Sequence, residues 1–314
     1  MSESKLTKSI GKVVSFINMK GGVGKTTLCR EIGYTLNQEY NKSILFIDID
    51  PQANLTQSLF EKYHLLPKDL YEELDDEEKS KTTICNNSIN KLLIGNQILP
   101  QKNELIVHLN EGEAALDLIP GDLKTVFLER TNNGSLAENS LDKFIYKKEL
   151  KTAYDYIFID CPPTYSFYTT AAFNASDYYL VPVGIDPYSV LGIDLLEQVV
   201  KSIKDNNFRA FSTKTLNNMG IIFNPIAYTS NPTSERQLRQ QKARISTSEK
   251  LQQYDLYYFR EIFKYNSKYR EQLDYFSIDI NDSMHNANIN AITTEFIDRL
   301  TFLDMEDKDN DRNK

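Results

Sequence analysis

Cysteine is scarce in this chain: Cys29, Cys85 and Cys161 are the only three in 314 residues, and no two lie at paired spacing. That excludes a disulfide framework and suggests no zinc site. Long apolar runs are missing too, and none approaches the roughly 18–20 residues that a membrane span needs. The opening Met1-Ser2-Glu3-Ser4-Lys5 lacks the apolar core of a signal peptide. These absences lead to the expectation of a cytoplasmic protein. What is present is ordinary for a soluble globular chain, with 40% hydrophobic and 25% charged residues. The length admits one large α/β domain or two smaller ones.

Positive charge is also in deficit, since the net charge is −8 and the pI about 5.1, which on its face argues against nucleic acid. The average conceals a gradient. Residues 201–270 hold 13 Lys/Arg against 5 Asp/Glu, a local +8, so the remainder sums to −16. Such asymmetry points to a basic face, although a run of charge is often only solvated surface.

Short β-branched runs alternate with helical stretches, the pattern of a parallel sheet wrapped by helices. Strands are expected at 13–18, 44–49, 116–119, 156–160, 179–183 and 219–223. Most are apolar throughout, as strands covered on both faces should be. Helices are expected near 25–39, 54–62, 138–149, 166–175, 189–206 and 233–243. Residues 64–112 read as a surface excursion, because they hold too few large apolar residues for a separate core. A short extension (1–11), a domain (12–303) and an acidic flexible tail (304–314) complete the expected organisation. Of the 19 tyrosines, pairs such as Tyr178-Tyr179 and Tyr257-Tyr258 read as core or interface filler rather than as stacking platforms for nucleic acid.

The most informative segment is Lys20-Gly21-Gly22-Val23-Gly24-Lys25-Thr26-Thr27, which follows the apolar run Val13–Ile17 and precedes a helix. Strand, glycine-rich turn and helix N-terminus are the context of a phosphate loop. Glycines let consecutive backbone N–H groups turn inward around phosphate oxygens, helped by the positive end of the helix dipole. Lys25 is placed to reach the β- and γ-phosphates, and the Thr26 hydroxyl to complete the shell of a Mg²⁺ ion. Asp48, Asp50 and Asp160 fall at or just past strand ends, the edge at which open α/β sheets bind ligands. Asp160 is suited to hold Mg²⁺ through a water.

The lysine that opens the loop, with Met19 where the common pattern has glycine, resembles the deviant Walker A box of the ParA/MinD group of P-loop ATPases. Ile44–Asn54, containing Asp48-Ile49-Asp50-Pro51-Gln52-Ala53-Asn54, is similar to the D-x-D-P-Q-x-N segment of ParA-type proteins. Tyr156–Pro163 resembles their Walker B strand and switch. Weaker echoes are Leu116–Gly121, Val181-Pro182-Val183 with Pro187-Tyr188, and Gly220–Asn224, in the family's order over most of residues 12–300. The resemblance implies a single doubly wound, mostly parallel sheet flanked by helices, and an ATPase using ATP and Mg²⁺. Only about ten residues precede the first strand, so no N-terminal DNA-binding extension is expected. Asp50 would polarise the attacking water, and Asp48 would be either a partner of the metal site or a helix cap. Lys20 would cross a two-fold interface to the facing subunit's phosphates, as an arginine finger does. Asn224 is a candidate for the adenine edge, with Pro225 packing on the ring, although a strand-end asparagine can equally be a turn residue. Cys161 reads as a packing residue rather than a redox thiol.

ParA-type function further implies a homodimer with ATP, non-specific DNA and a ParB-like centromere-binding adaptor. Arg236, Arg239, Lys242 and Arg244, with Lys264, Lys268 and Arg270, are the candidates for DNA. The first three, at i, i+3 and i+6, share one broad helix face. A MinD-like membrane role requires a basic amphipathic C-terminal helix. Here Thr301-Phe302-Leu303 leads into acidic sequence, which anionic lipid repels. An iron-protein reductase needs cluster-bridging cysteines, and these three give no such pattern. A regulator positioning another cargo would share the same ATPase core.

Overall fold

The computed structural model describes residues 10–94, 98–125, 134–186, 188–224, 232–265, 268–279 and 283–312. Pro225, Pro187 and most of the short N-terminal extension therefore lie outside the described residues. In the first part of the chain, β1 (Lys12–Phe16), α1 (Lys25–Tyr40), β2 (Ile44–Asp48) and α2 (Asn54–Lys62) alternate as the sequence pattern predicts. Between α2 and the next long strand come β3 (Leu65–Leu66), α3 (Lys68–Tyr71), α4 (Asp76–Lys81), β4 (Thr83–Ile84), α5 (Asn90–Leu93), α6 (Lys102–Leu105) and β5 (Val107–His108). Then follow β6 (Leu116–Ile119), α7 (Gly134–Lys147), α8 (Leu150–Ala153), β7 (Tyr156–Asp160), α9 (Phe167–Ala175), β8 (Tyr178–Gly184), α10 (Ser189–Asn206), α11 (Phe208–Phe211) and β9 (Asn217–Asn224). The chain closes with α12 (Pro232–Ser246), β10 (Tyr258–Ile262), α13 (Lys268–Glu271) and α14 (Ser283–Arg312).

Among the described residues eight strands form one sheet in the order β10-β9-β8-β1-β7-β2-β6-β5, parallel throughout except where β5 runs antiparallel to β6. This is the doubly wound, mostly parallel fold. The all-apolar strands make sense because helices cover both faces. One face buries Leu141, Phe144, Phe173, Ile193 and Leu196, from α7, α9 and α10. The opposite face buries Leu28, Ile32, Leu55, Leu59, Ile289, Ile292 and Phe296, from α1, α2 and α14. On that side α1 sits so close to the sheet that a Cβ on Gly33 would lie 2.4 Å from the Phe46 ring, which explains a glycine in mid-helix.

Two expectations are corrected. Residues 64–112 are a surface excursion only in their first half, where α3 and α4 bury nothing. In the second half Ile89, Leu92, Leu93, Leu105 and Ile106 enter the main core, and β5 extends the main sheet. The other correction concerns the flexible tail expected from Asp304, where α14 instead continues to Arg312. Asp304 is anchored, accepting a hydrogen bond from Tyr178 Oη at 2.8 Å and pairing with Lys12 at 2.6 Å. Edge strand β10 and helix α14 were not anticipated at all. The chain order places β1 at the centre, between β8 on one side and β7 on the other. That reversal of strand order is where ligands bind in open α/β sheets.

Candidate phosphate-binding site

The loop after β1 is drawn taut by Asn18, whose Nδ2 donates to Pro182 O at 2.7 Å while its Oδ1 accepts from Lys20 N at 2.9 Å. Gly22 and Gly24 both take positive φ, +72° and +88°, where a side chain would be strained. A Cβ on Gly24 would also strike Asn224 Nδ2 at 2.2 Å. Gly24 caps α1, no side chain caps it, and no acidic residue occupies the first turn. The first amides of α1 are thus left without a side-chain acceptor, at the positive end of a sixteen-residue helix. An oxyanion is the natural partner for such a terminus.

Around this turn lies a cleft of about 480 Å³, lined by Gly21, Gly22, Gly24, Lys25, Thr26 and Thr27. Asp50, Gln52 and Pro163 line it from the β2 and β7 side, with Arg30, Tyr265, Tyr269 and Leu273 beyond. Lys25 is buried, and its ammonium makes a long contact of 3.4 Å to Lys20 O. Burial pushes its pKa down, while Asp160 and Asp50 pull against that shift.

The strand register sets the carboxylates. Phe16 and Asp48 both lie level with Asp160, so three parallel strands end together beside the loop. Asp160 is fully buried, and its Oδ2 accepts from Thr26 Oγ1 at 2.7 Å. Among the described residues its Oδ1 has no hydrogen-bond partner. Burial raises its pKa well above the carboxylate range, with Asp48 adding to the effect. Asp50 sits nearby, its Oδ1 accepting from Gln52 N at 2.9 Å, and burial raises it as well.

Asp48 uses both oxygens inside the fold. Its Oδ2 accepts from Thr56 N at 2.8 Å and Thr56 Oγ1 at 2.7 Å, and its Oδ1 from Asp50 N at 3.2 Å. Burial pushes its pKa up to about 7. These contacts secure the start of α2 and the turn bearing Asp50. Among the described residues no cluster of three His, Cys, Asp or Glu could hold a metal by itself. An orphaned Asp160 oxygen beside the Thr26 hydroxyl does fit a hard cation that takes its other oxygens from phosphate and water.

Lys20 pairs with Asp186, just past the end of β8. Burial works against the Asp186 carboxylate, but the Lys20 ammonium and the Tyr188 amide outweigh it and hold the pKa below the usual range. Asn224 is buried at the end of β9, donating from Nδ2 to Val23 O at 2.8 Å, and among the described residues its Oδ1 has no partner. It therefore sits against the phosphate loop with one acceptor to spare.

The basic residues are placed less uniformly. Arg236, Arg239 and Arg244 are exposed on α12, with Arg239 3.7 Å from Glu235. Lys242 does not share their free face. Its ammonium donates to Phe259 O at 2.6 Å and Arg260 O at 2.8 Å, tying α12 to β10, and burial lowers its pKa. This corrects the expectation of a shared face for Arg236, Arg239 and Lys242. Lys268 is exposed, 5.8 Å from the Tyr275 ring, Lys264 is half-buried, and Arg270 lies in α13. Cys161 is fully buried and its thiol pKa pushed up by burial, the reverse of a reactive cysteine. Sequence reasoning missed Asp186 and the wall formed by Arg30, Tyr265 and Tyr269. Only the neighbouring Pro187-Tyr188 echo marked the first, and nothing in the sequence marked the second.

Comparison with known proteins agrees with this geometry. A family model described as an AAA domain matches residues 11–213. An uncharacterized protein of Methanocaldococcus jannaschii is 32% identical over 68% of this chain and 72% of its own length. A virulence plasmid ParA family protein of Chlamydia psittaci is 31% identical over 68% of each chain. Among solved structures, an ATP complex of McdA from Cyanothece superposes with a TM-score of 0.65 at 19% identity, covering 91% of this chain and 96% of that one. The phosphate loop opened by lysine, the carboxylates at its rim and these similarities lead to one assignment: the chain belongs to the ParA family of P-loop ATPases.

Proposed function

We propose that this protein partitions DNA: an ATP-bound homodimer binds duplex of any sequence, and hydrolysis stimulated by a ParB-like adaptor releases it. The observation that carries the reading is the loop itself, an uncapped helix start with Lys25 buried at its base and a second lysine, Lys20, opening it. Lys25 and the amides of Gly22 to Thr27 bind the phosphate chain. Thr26 and Asp160 would hold Mg²⁺, which when bound offsets phosphate charge. Asp50 orients the attacking water, and Asp48 holds Asp50 and α2 in place. Asn224 Oδ1 accepts from the base edge. Lys20 acts on the facing subunit's nucleotide, so that ATP favours the dimer and hydrolysis reverses it. The kinship with a virulence plasmid ParA family protein supports a DNA cargo.

The test is binding of non-specific duplex at low salt with ATP, with ADP and without nucleotide. Binding only with ATP is expected, and Lys25→Ala should abolish it together with nucleotide binding. ATP-dependent dimerisation without DNA binding would transfer the reading to a positioning ATPase acting on another cargo. Normal ATP affinity in Lys25→Ala would overturn the phosphate-loop role itself.

A further inference from the structure

A second cleft, of about 690 Å³, is bounded by α2, α3, the stretch after β4 and the turn after β6. Among the described residues it shares only Leu273 with the phosphate cleft. Its framework is fixed from within. Gly121 N donates to Thr56 Oγ1 at 2.7 Å, Cys85 N to Leu66 O at 2.8 Å, and Lys68 N to Asn86 Oδ1 at 3.3 Å. A preformed surface loses little ordering free energy on binding. Phe60 is buried in its wall, whereas Leu70, Leu123 and Leu273 are 50%, 61% and 46% exposed around it. Three exposed leucines beside one cleft, rimmed by charge, mark an interaction surface.

The charge at the rim selects the occupant. Glu61 and Asp69 line the cleft, and neither forms an ion pair among the described residues. Of the two lining lysines, Lys68 and Lys124, the first is shared with Glu72 at 3.7 Å. Residues 69–78 hold seven Asp/Glu and no Lys/Arg, so the α3 side of the cleft carries a strong negative field. Tyr71 Oη donates to Lys79 O at 3.3 Å and keeps α4 beside α3, which adds its acids to that field. Nucleic acid and anionic lipid are repelled there, and a cationic partner is attracted. We propose that this cleft docks a short basic amphipathic helix of a partner protein. Its apolar side chains would enter among Leu70, Leu123 and Leu273, and its lysines or arginines would meet Glu61, Asp69 and the acidic α3–α4 segment. The cleft is separate from the phosphate loop, so docking needs no nucleotide.

The probe is a labelled peptide of about 14 residues, four helical turns, with leucines on one face, lysines on the other and a photocrosslinker among the leucines. It is titrated against the full chain without nucleotide, so the result does not depend on the phosphate-loop reading. Saturable binding by fluorescence anisotropy is expected, with crosslinks mapped by mass spectrometry to the segments around Phe60, Leu70 and Leu123. Leu70→Ser with Leu123→Ser, both at exposed positions, should weaken the peptide about tenfold. Glu61→Lys with Asp69→Lys should weaken it comparably and flatten its salt dependence. A peptide of the same composition with its leucines scattered around the helix should bind at least about tenfold less tightly. Crosslinks that fall elsewhere, or unaltered affinity in the leucine pair, would overturn the docking site and leave only attraction to an acidic surface. Equal binding of a leucine–glutamate peptide would overturn the charge selection. Sedimentation that showed the parent self-associating, and the leucine pair not, would give the cleft to a second copy of this chain instead.

Discussion

Lys20 illustrates how one contact changes the meaning of a residue. On the proposed function its ammonium would reach a facing subunit, yet in the single chain it is paired with Asp186. Asp186 is in turn fixed by the Tyr188 amide at 2.8 Å. If Lys20 reaches a facing phosphate, it must leave this carboxylate, and the pair would then oppose dimerisation. Lys20→Gln should bind ATP normally but lose ATP-dependent dimerisation or hydrolysis. Asp186→Asn should do the opposite and shift the dimer to lower ATP concentration in sizing chromatography. A dimer lost in Asp186→Asn would show that the carboxylate orients Lys20 rather than restraining it. The loop residues were legible because their chemistry is contiguous. The Asp186 contact was not, since it joins residues 166 positions apart.

At the scale of elements, α10 is tied to the segment after α12 by one carboxylate. Asp194 accepts from Lys250 Nζ and Tyr254 Oη, each at 2.8 Å, and from Gln198 Nε2 at 2.9 Å. Lys250 above all holds the Asp194 pKa below the ordinary carboxylate value. A carboxyl depressed in the folded state stabilises above its unfolded pKa and loses that contribution as pH falls through the folded one. The tie should therefore be intact at neutral pH and fail below about pH 4. Asp194→Asn should lower the urea midpoint at pH 7 and narrow its difference from the parent towards pH 3. An equal difference at both pH values would remove the charge from the explanation. Strand and helix existence was readable wherever the pattern was strong, as in α2 and α10. Helix α14 was missed although Ile289, Ile292, Phe296, Leu300 and Leu303 recur at helical spacing and are buried. Edge strand β10, with its polar Arg260 and Glu261, gave no comparable signal.

Over the whole molecule, charge separates into a basic stretch on an acidic protein, which would orient a polyanion. If a dimer neutralises about six phosphates, DNA affinity should fall on the order of 10³-fold between about 50 and 200 mM salt. Avidity between two copies would make weak contacts usable. Arg236→Glu with Arg239→Glu should reduce affinity and flatten that salt slope while leaving basal hydrolysis intact. Lys242→Ala should instead lower stability, because its ammonium serves the carbonyls of Phe259 and Arg260. Unchanged DNA affinity in the double reversal would make α12 merely solvated surface or a protein-partner site.

The sequence by itself determined the phosphate loop, the strand ends that carry Asp48, Asp50 and Asp160, and the layered α/β plan. Each depends on residues close together in the chain, where backbone geometry and hydrophobic period act directly. Tertiary structure decided what those residues touch. It gave the oxygens of Asp48 to Thr56 and the Asp50 amide, left one oxygen of Asp160 unpartnered, and turned Lys242 inward. It also brought Tyr265 and Tyr269 to a cleft that begins more than 200 residues earlier at Gly21. Those outcomes follow from parallel strand order and helix packing, in which a side chain's partner is set by which distant segment arrives beside it rather than by its neighbours in sequence.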